Sequence, residues 1–242
     1  MRRPERTTLS AGVAEEIIQA IASGELEPGT RMLQAGLARH LRVSQSTIRE
    51  AHQLLERWGL VSKDIGGRSF VTELSVKDLQ ECYSLRIRIE PMVAGRAYEC
   101  ANKMQLKELA GLYEEMCQAV GKRDFVQMSK ADIAFHEYIW KMSGSKWFVN
   151  TLRDICLPLM GFQAIRVWKY PHYDFKAFLD GGHLPLLNAM KDGPSAGEVE
   201  KIFVAKLKDY CDEETRIIGE EWWDDRNKPK PRILSASKTG RR

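Results

Sequence analysis

Asp132 and His136 stand four residues apart, a spacing that on a helix sets a carboxylate beside an imidazole on one face. Such a pair is used either as a hydrogen-bonded couple, the commoner case, or as two ligands of one metal ion. A third imidazole from His183 tips the balance toward a divalent transition metal such as zinc or nickel, which neutral imidazole suits. A second group of reactive side chains lies near the N-terminus. Ser44, Gln45, Ser46, Thr47 and Arg49 are hydrogen-bonding groups of the kind that touch phosphates or base edges. Lys63, Gly67 and Arg68 lie where a basic loop tip reaches flanking phosphate or the minor groove. The patterns H-E-x-x-H, G-x-S-x-G, G-x-G-x-x-G and the phosphate loop do not occur, which argues against a metal-dependent enzyme built on Asp132, His136 and His183.

The elements that must position these groups follow from the apolar periodicity. Val13, Ile17 and Ile21 recur at helical spacing between Thr7 and Ser23, and Gly24 ends the pattern. After the Pro28-Gly29 turn, Leu33, Leu37, Ala38 and Leu41 give a short second helix. Ser44 is the N-cap candidate of a third helix running from Gln45 to about Trp58, with Ile48, Ala51, Leu55 and Trp58 on its buried face. Val61 to Asp64 and Arg68 to Thr72 read as two strands about Gly66-Gly67. Two helices followed by a hairpin make a winged helix-turn-helix, whose second helix enters the major groove of double-stranded DNA. Beyond Leu74 the pattern changes to long helices, the first capped by Ser75, with breaks near Asn102, Gly121, residues 143–145, Tyr170-Pro171, Gly181-Gly182 and residues 192–194. The expected fold is therefore mainly α: a winged helix-turn-helix over 1–74, an all-α bundle of six or seven helices over 75–224, and a tail over 225–242.

Composition agrees with a folded chain. Of 242 residues 43% are hydrophobic and 29% charged, and no apolar run approaches the ~18 residues of a spanning helix, so no membrane partner is expected. The N-terminus lacks the apolar core of a secretion signal, which points to the cytoplasm. Five cysteines without a C-x-x-C pair read as buried reduced thiols. The formal charge of +4 divides unevenly. Residues 1–72 hold 10 basic and 8 acidic groups, residues 73–225 hold 20 and 25, and residues 226–242 hold 7 and none. The tail is a basic, disordered segment by composition, either simply solvated or an arm that follows phosphates.

Residues 17–72 resemble the DNA-binding domain of GntR-family bacterial transcription regulators. The resemblance lies in Ile21-Ala22-Ser23-Gly24-Glu25-Leu26-Glu27-Pro28-Gly29, in Val43-Ser44-Gln45-Ser46-Thr47-Ile48-Arg49-Glu50-Ala51, and in Leu54-Leu55-Glu56-Arg57-Trp58-Gly59-Leu60-Val61. Three positions depart from the family pattern. Gln45 stands where arginine is usual, which alters base preference because Gln reads adenine and Arg guanine. Arg42 stands where glycine often closes the turn, and Ser69 where the wing commonly has glycine.

The remainder resembles the all-helical FCD effector domain of the FadR-like subgroup. Leu85-Arg86-Ile87-Arg88-Ile89-Glu90, Asp132-Ile133-Ala134-Phe135-His136 and His183-Leu184-Pro185-Leu186-Leu187-Asn188-Ala189-Met190 carry that resemblance. It implies a homodimer on a two-fold-symmetric operator and a small carboxylate effector beside a metal held by one Asp and three His. Here Asp132, His136 and His183 match, while the fourth position falls at Ala205 or Lys206. Either the metal stays with three ligands, or the Lys206 ammonium replaces it and pairs with Asp132 or with the effector. Arg86 is the second effector anchor, since guanidinium binds carboxylate with two parallel hydrogen bonds; its alternative is an intrahelical pair with Glu90. Gly181-Gly182 is expected to break a helix. The aromatic residues Phe162, Trp168, Tyr170, Tyr173, Phe175 and Phe178 serve core or dimer packing, or an aromatic effector. The expected function is a repressor of a metabolic operon relieved by an organic acid, with a metal-sensing regulator as the alternative.

Overall fold

The computed structural model describes residues 9–169 and 174–225. The expectations for Tyr170, Tyr173 and the basic segment from Arg226 onward lie outside them. The chain divides into two compact units between Glu73 and Leu74.

In the first unit, α1 (Leu9–Ala22) buries the anticipated stripe of Val13, Ile17 and Ile21, with Ala14 and Ile18 beside it. Helix α2 (Gln34–His40) and helix α3 (Gln45–Arg57) are joined by a tight turn in which Arg42 takes a φ of 53°. This left-handed conformation costs a non-glycine residue about 1 kcal/mol. Helix α3 packs Ile48, Ala51 and Leu55 inward. Trp58, expected in that stripe, is half-buried and caps the helix, while His52 occupies a fully buried place instead. Strands β1 (Val61–Lys63) and β2 (Ser69–Val71) pair antiparallel, with Val61 opposite Val71. Gly67, at φ 73°, lies in the turn between them.

The second unit is a helical bundle. Helix α4 (Val76–Cys100) starts at Ser75, whose hydroxyl accepts from the Asp78 N–H at 3.1 Å while Asp78 accepts from the Ser75 N–H at 2.9 Å. Helices α5 (Lys103–Gly121), α6 (Phe125–Met142) and α7 (Lys146–Lys169) follow. A single helical turn, α8 (Phe175–Ala177), leads through a π-helical turn (Phe178–His183) into α9 (Leu184–Asp192) and then α10 (Ala196–Asp225). Helix α4 packs along α10, α6 and α7, and α5 packs against α6. Ala94, Leu109, Phe135, Ile139, Leu186 and Phe203 form the middle of the main core.

Two expectations need correction. Gly181-Gly182 does not break the helix, because a π turn carries the backbone through both glycines into α9. Of the cysteines only Cys156 is buried; Cys82, Cys117 and Cys211 are half-buried, and Cys100, in the last residue of α4, is exposed. Among the described residues no helix is long and apolar enough to cross a membrane.

Candidate functional site

The outer side of α3 is built from its first turn. Ser44 takes extended backbone angles, and its hydroxyl accepts from the Thr47 N–H at 3.1 Å, which satisfies one of the helix's unpaired donors. The same hydroxyl lies 2.7 Å from Ser46 Oγ and 2.8 Å from Thr47 Oγ1. Gln45, Ser46 and Arg49 are exposed and Thr47 is half-buried. No acidic residue stands in that turn, so the unpaired N–H groups and the helix dipole present a positive end to solvent. Among the described residues Arg49 makes no ion pair.

The hairpin forms where the sequence puts it, and its two cations are paired within the chain. Lys63 Nζ lies 2.8 Å from Glu56 Oε1, and Arg68 donates from Nε to Asp64 Oδ2 at 2.6 Å. The Arg68 bonds hold the Asp64 carboxyl below its usual range. Both wing cations thus already have carboxylate partners, and the fully exposed side chain at the tip is Ile65.

In the second unit, α4, α6, α7, the π turn and α10 enclose a cleft of about 540 Å³, part of it open to solvent. Arg86, Asp132, His136 and His183 meet at one end of it. Arg86 donates from Nε to Glu90 Oε2 at 2.6 Å, and its Nη2 lies 3.4 Å and 3.5 Å from the two ring nitrogens of His136. Glu90 has no solvent exposure and also accepts from Trp140 Nε1 at 2.8 Å. Burial opposes ionisation of Glu90, but the Arg86 guanidinium and His136 outweigh it and hold the carboxyl well below the usual range. Burial likewise opposes the Asp132 charge, and the His183 hydrogen bond together with the His183, His136 and Arg86 charges holds the carboxyl below its usual range.

The imidazole environments bear on whether a metal fits. His136 Nδ1 is 2.8 Å from Glu90 Oε1, and its Nε2 is 3.7 Å from Asp132 Oδ1. His183 Nε2 is 2.7 Å from the same Asp132 oxygen, and its Nδ1 is 3.4 Å from the Phe178 carbonyl. His136 Nε2 also lies 3.5 Å from the Arg86 Nη2 donor. With the Nδ1–H of His136 donating to Glu90 and that of His183 to Phe178 O, each ring would offer its Nε2 on the Asp132 side, the outer-partner arrangement that orients metal-ligating histidines. One ligand atom from each of Asp132, His136 and His183 lies within 4.8 Å of the others. The donor set fits a divalent transition metal with positions left open.

Lys206 is a correction. Its Nζ pairs with Asp209 Oδ2 at 3.3 Å, and it does not line the cleft. Among the described residues, Tyr210 is the one that α10 sends into the cleft, and its hydroxyl donates to the Phe178 carbonyl at 3.3 Å. Tyr210 reaches that place because residue 182 is glycine: a Cβ there would run into the tyrosine hydroxyl. Arg86 keeps both of its anticipated positions, paired with Glu90 and lining the cleft. Sequence reading missed Trp140 and Tyr210, and took Glu90 only as an intrahelical partner.

Comparison with known proteins adds a separate line of argument. Residues 9–71 match the profile of bacterial regulatory proteins, gntR family, and residues 81–200 match that of the FCD domain. The gluconate operon transcriptional repressor of Bacillus subtilis is 30% identical over 175 residues, 71% of this chain and 72% of that protein. An uncharacterized HTH-type transcriptional regulator of the same organism, YdhC, is 30% identical over 142 residues; the match takes in 58% of this chain and only 63% of YdhC's length. Among solved structures, Escherichia coli McbR/YncC superposes with a TM-score of 0.63 at 21% identity, over 89% of this chain and 99% of that one. At that identity the likeness concerns the fold.

Proposed function

Since the chain belongs to the GntR family of bacterial transcription regulators, we propose that it is a repressor of a metabolic operon, released from its DNA by a small organic acid bound in the second unit. The exposed start of α3 approaches the major groove of double-stranded DNA, with Gln45 and Arg49 toward base edges and Ser44, Ser46 and Thr47 toward phosphate. Two copies in a homodimer match an operator of two-fold symmetry. The name of the Bacillus subtilis relative, a repressor of a gluconate operon, supports both the sign of regulation and a carboxylate effector.

The observation that carries the effector reading is the meeting of buried Arg86 with Asp132, His136 and His183 in the lining of one cleft. A metal held by Asp132, His136 and His183 supplies, when bound, a positive centre for carboxylate oxygens. Arg86, fixed by Glu90, supplies the second cationic contact from the protein itself. An effector changes operator affinity only if it binds one arrangement of the protein more tightly than the other.

Fluorescence anisotropy on labelled fragments upstream of the chain's own coding region tests the reading. We expect tight binding at moderate salt and release by an organic acid; no binding to any such fragment at low salt overturns it. The cluster of Asp132, His136 and His183 favours a second reading, in which the metal itself is the signal. Zinc or nickel that shifts operator affinity in the absence of any acid, with the response lost in His136→Ala, supports that alternative.

A further inference from the structure

Beside its charged groups the cleft has an apolar lining. Met160, Ala164 and Val167 come from one face of α7, Met128 faces the cleft from α6, and Phe178 from the π turn. The polar side chains among these walls each give one hydrogen bond to the chain itself: Ser129 Oγ donates to the Phe125 carbonyl at 2.9 Å, Gln163 Nε2 to the Tyr83 hydroxyl at 2.7 Å, and the Tyr210 hydroxyl to Phe178 O at 3.3 Å. A hydroxyl moved from water against the methionine, alanine, valine and phenylalanine side chains loses hydrogen bonds that those side chains do not replace. A methylene or ring carbon gains from the same walls, and two methionines adapt to either shape.

We propose that the acid controlling this chain carries an apolar body, a hydrocarbon chain or ring, and not a run of hydroxyls. The inference rests on the carboxylate-effector reading above and narrows it. The carboxylate lies at the Arg86 end and the body lies along Met160, Ala164 and Val167. This sets the chain apart from the Bacillus subtilis repressor named for a gluconate operon, gluconate being a fully hydroxylated acid.

Hexanoate and gluconate share a six-carbon skeleton and differ in hydroxyl groups, so they isolate this property. Calorimetric titration of the full chain with acetate, butyrate and hexanoate should show affinity rising about fourfold per added methylene. Hexanoate should bind at least about tenfold tighter than gluconate. Val167→Thr, which keeps the side-chain shape and adds a hydroxyl, should reduce the ratio of hexanoate to acetate affinity about threefold. Gluconate binding as tightly as hexanoate, a flat series, or an unchanged ratio in Val167→Thr overturns the inference and leaves the carboxylate reading intact. Failure of every acid, citrate included, to bind or to alter operator affinity overturns both.

Discussion

The first turn of α3 and the cluster about Arg86 are both rich in polar side chains, yet they are built in opposite ways. At α3 the hydrogen bonds link residues two or three apart, and Ser44, Gln45, Ser46 and Arg49 are exposed. In the cluster, besides the Arg86–Glu90 pair within α4, bonds join positions 46, 50 and 51 apart, and Arg86, Glu90, His136 and His183 are all buried. A surface of the first kind keeps its donors for a partner and adds little to folding. A cluster of the second kind uses its bonds to hold one geometry, and losing any member leaves the others buried and unmatched.

Substitutions at the two places should separate these roles. Glu90→Ala strands the Arg86 guanidinium in the interior and should lower unfolding free energy by about 3–5 kcal/mol, read by chemical denaturation. A change under about 1 kcal/mol would make the cluster as loosely held as a surface pair. Arg49→Ala should leave the denaturation midpoint nearly unchanged and weaken operator binding by about 1–3 kcal/mol, measured by anisotropy. Loss of stability without loss of binding would reverse the assignment.

A third substitution sharpens the contrast inside the first unit, where His52 is 1% exposed and neither ring nitrogen has a partner among the described residues. Burial holds its pKa below the ordinary 6.5, with Glu56 opposing and Lys63 assisting. The unfolded chain therefore takes up the proton more readily, so stability present above pH ~6.5 declines as pH falls below it. The slope from this one site is at most about 1.4 kcal/mol per pH unit. Thermal unfolding between pH 7 and pH 5 should show that decline, and His52→Leu should flatten it. Arg42→Gly, which relieves the left-handed turn, should stabilise the first unit by about 1 kcal/mol. The smallest effect belongs to Lys63→Ala, where an exposed pair with Glu56 contributes roughly 0–1 kcal/mol. An operator-affinity loss there as large as that of Arg49→Ala would put the wing on a par with α3.

The same contrast explains how much the sequence discloses. Helix α1, the caps at Ser44 and Ser75, the left-handed Arg42 and the hairpin are local matters of spacing and residue type, and each is found where the pattern puts it. Asp132 with His136 is legible as a four-residue spacing on α6. The bond from His136 to Glu90 is not, because it depends on how α4 lies against α6. The misplacement of Lys206 has a similar origin. Lys206 and Tyr210, four residues apart on α10, share a side of the helix, so spacing alone cannot tell which of the two reaches the cleft: Tyr210 does, and Lys206 pairs with Asp209. His52 escapes notice because a polar residue in an apolar stripe reads as exposed.

The close fit of Tyr210 over Gly182 ties together two positions on different helical segments. Any branch added at 182 must expel the aromatic ring, and any shortening at 210 opens a void above the π turn. The constraint runs one way: a side chain at 182 calls for a smaller or displaced one at 210, whereas a smaller one at 210 leaves 182 free to change. A descendant with alanine at 182 and a small side chain at 210 would own a wider chamber and answer to a different chemical signal.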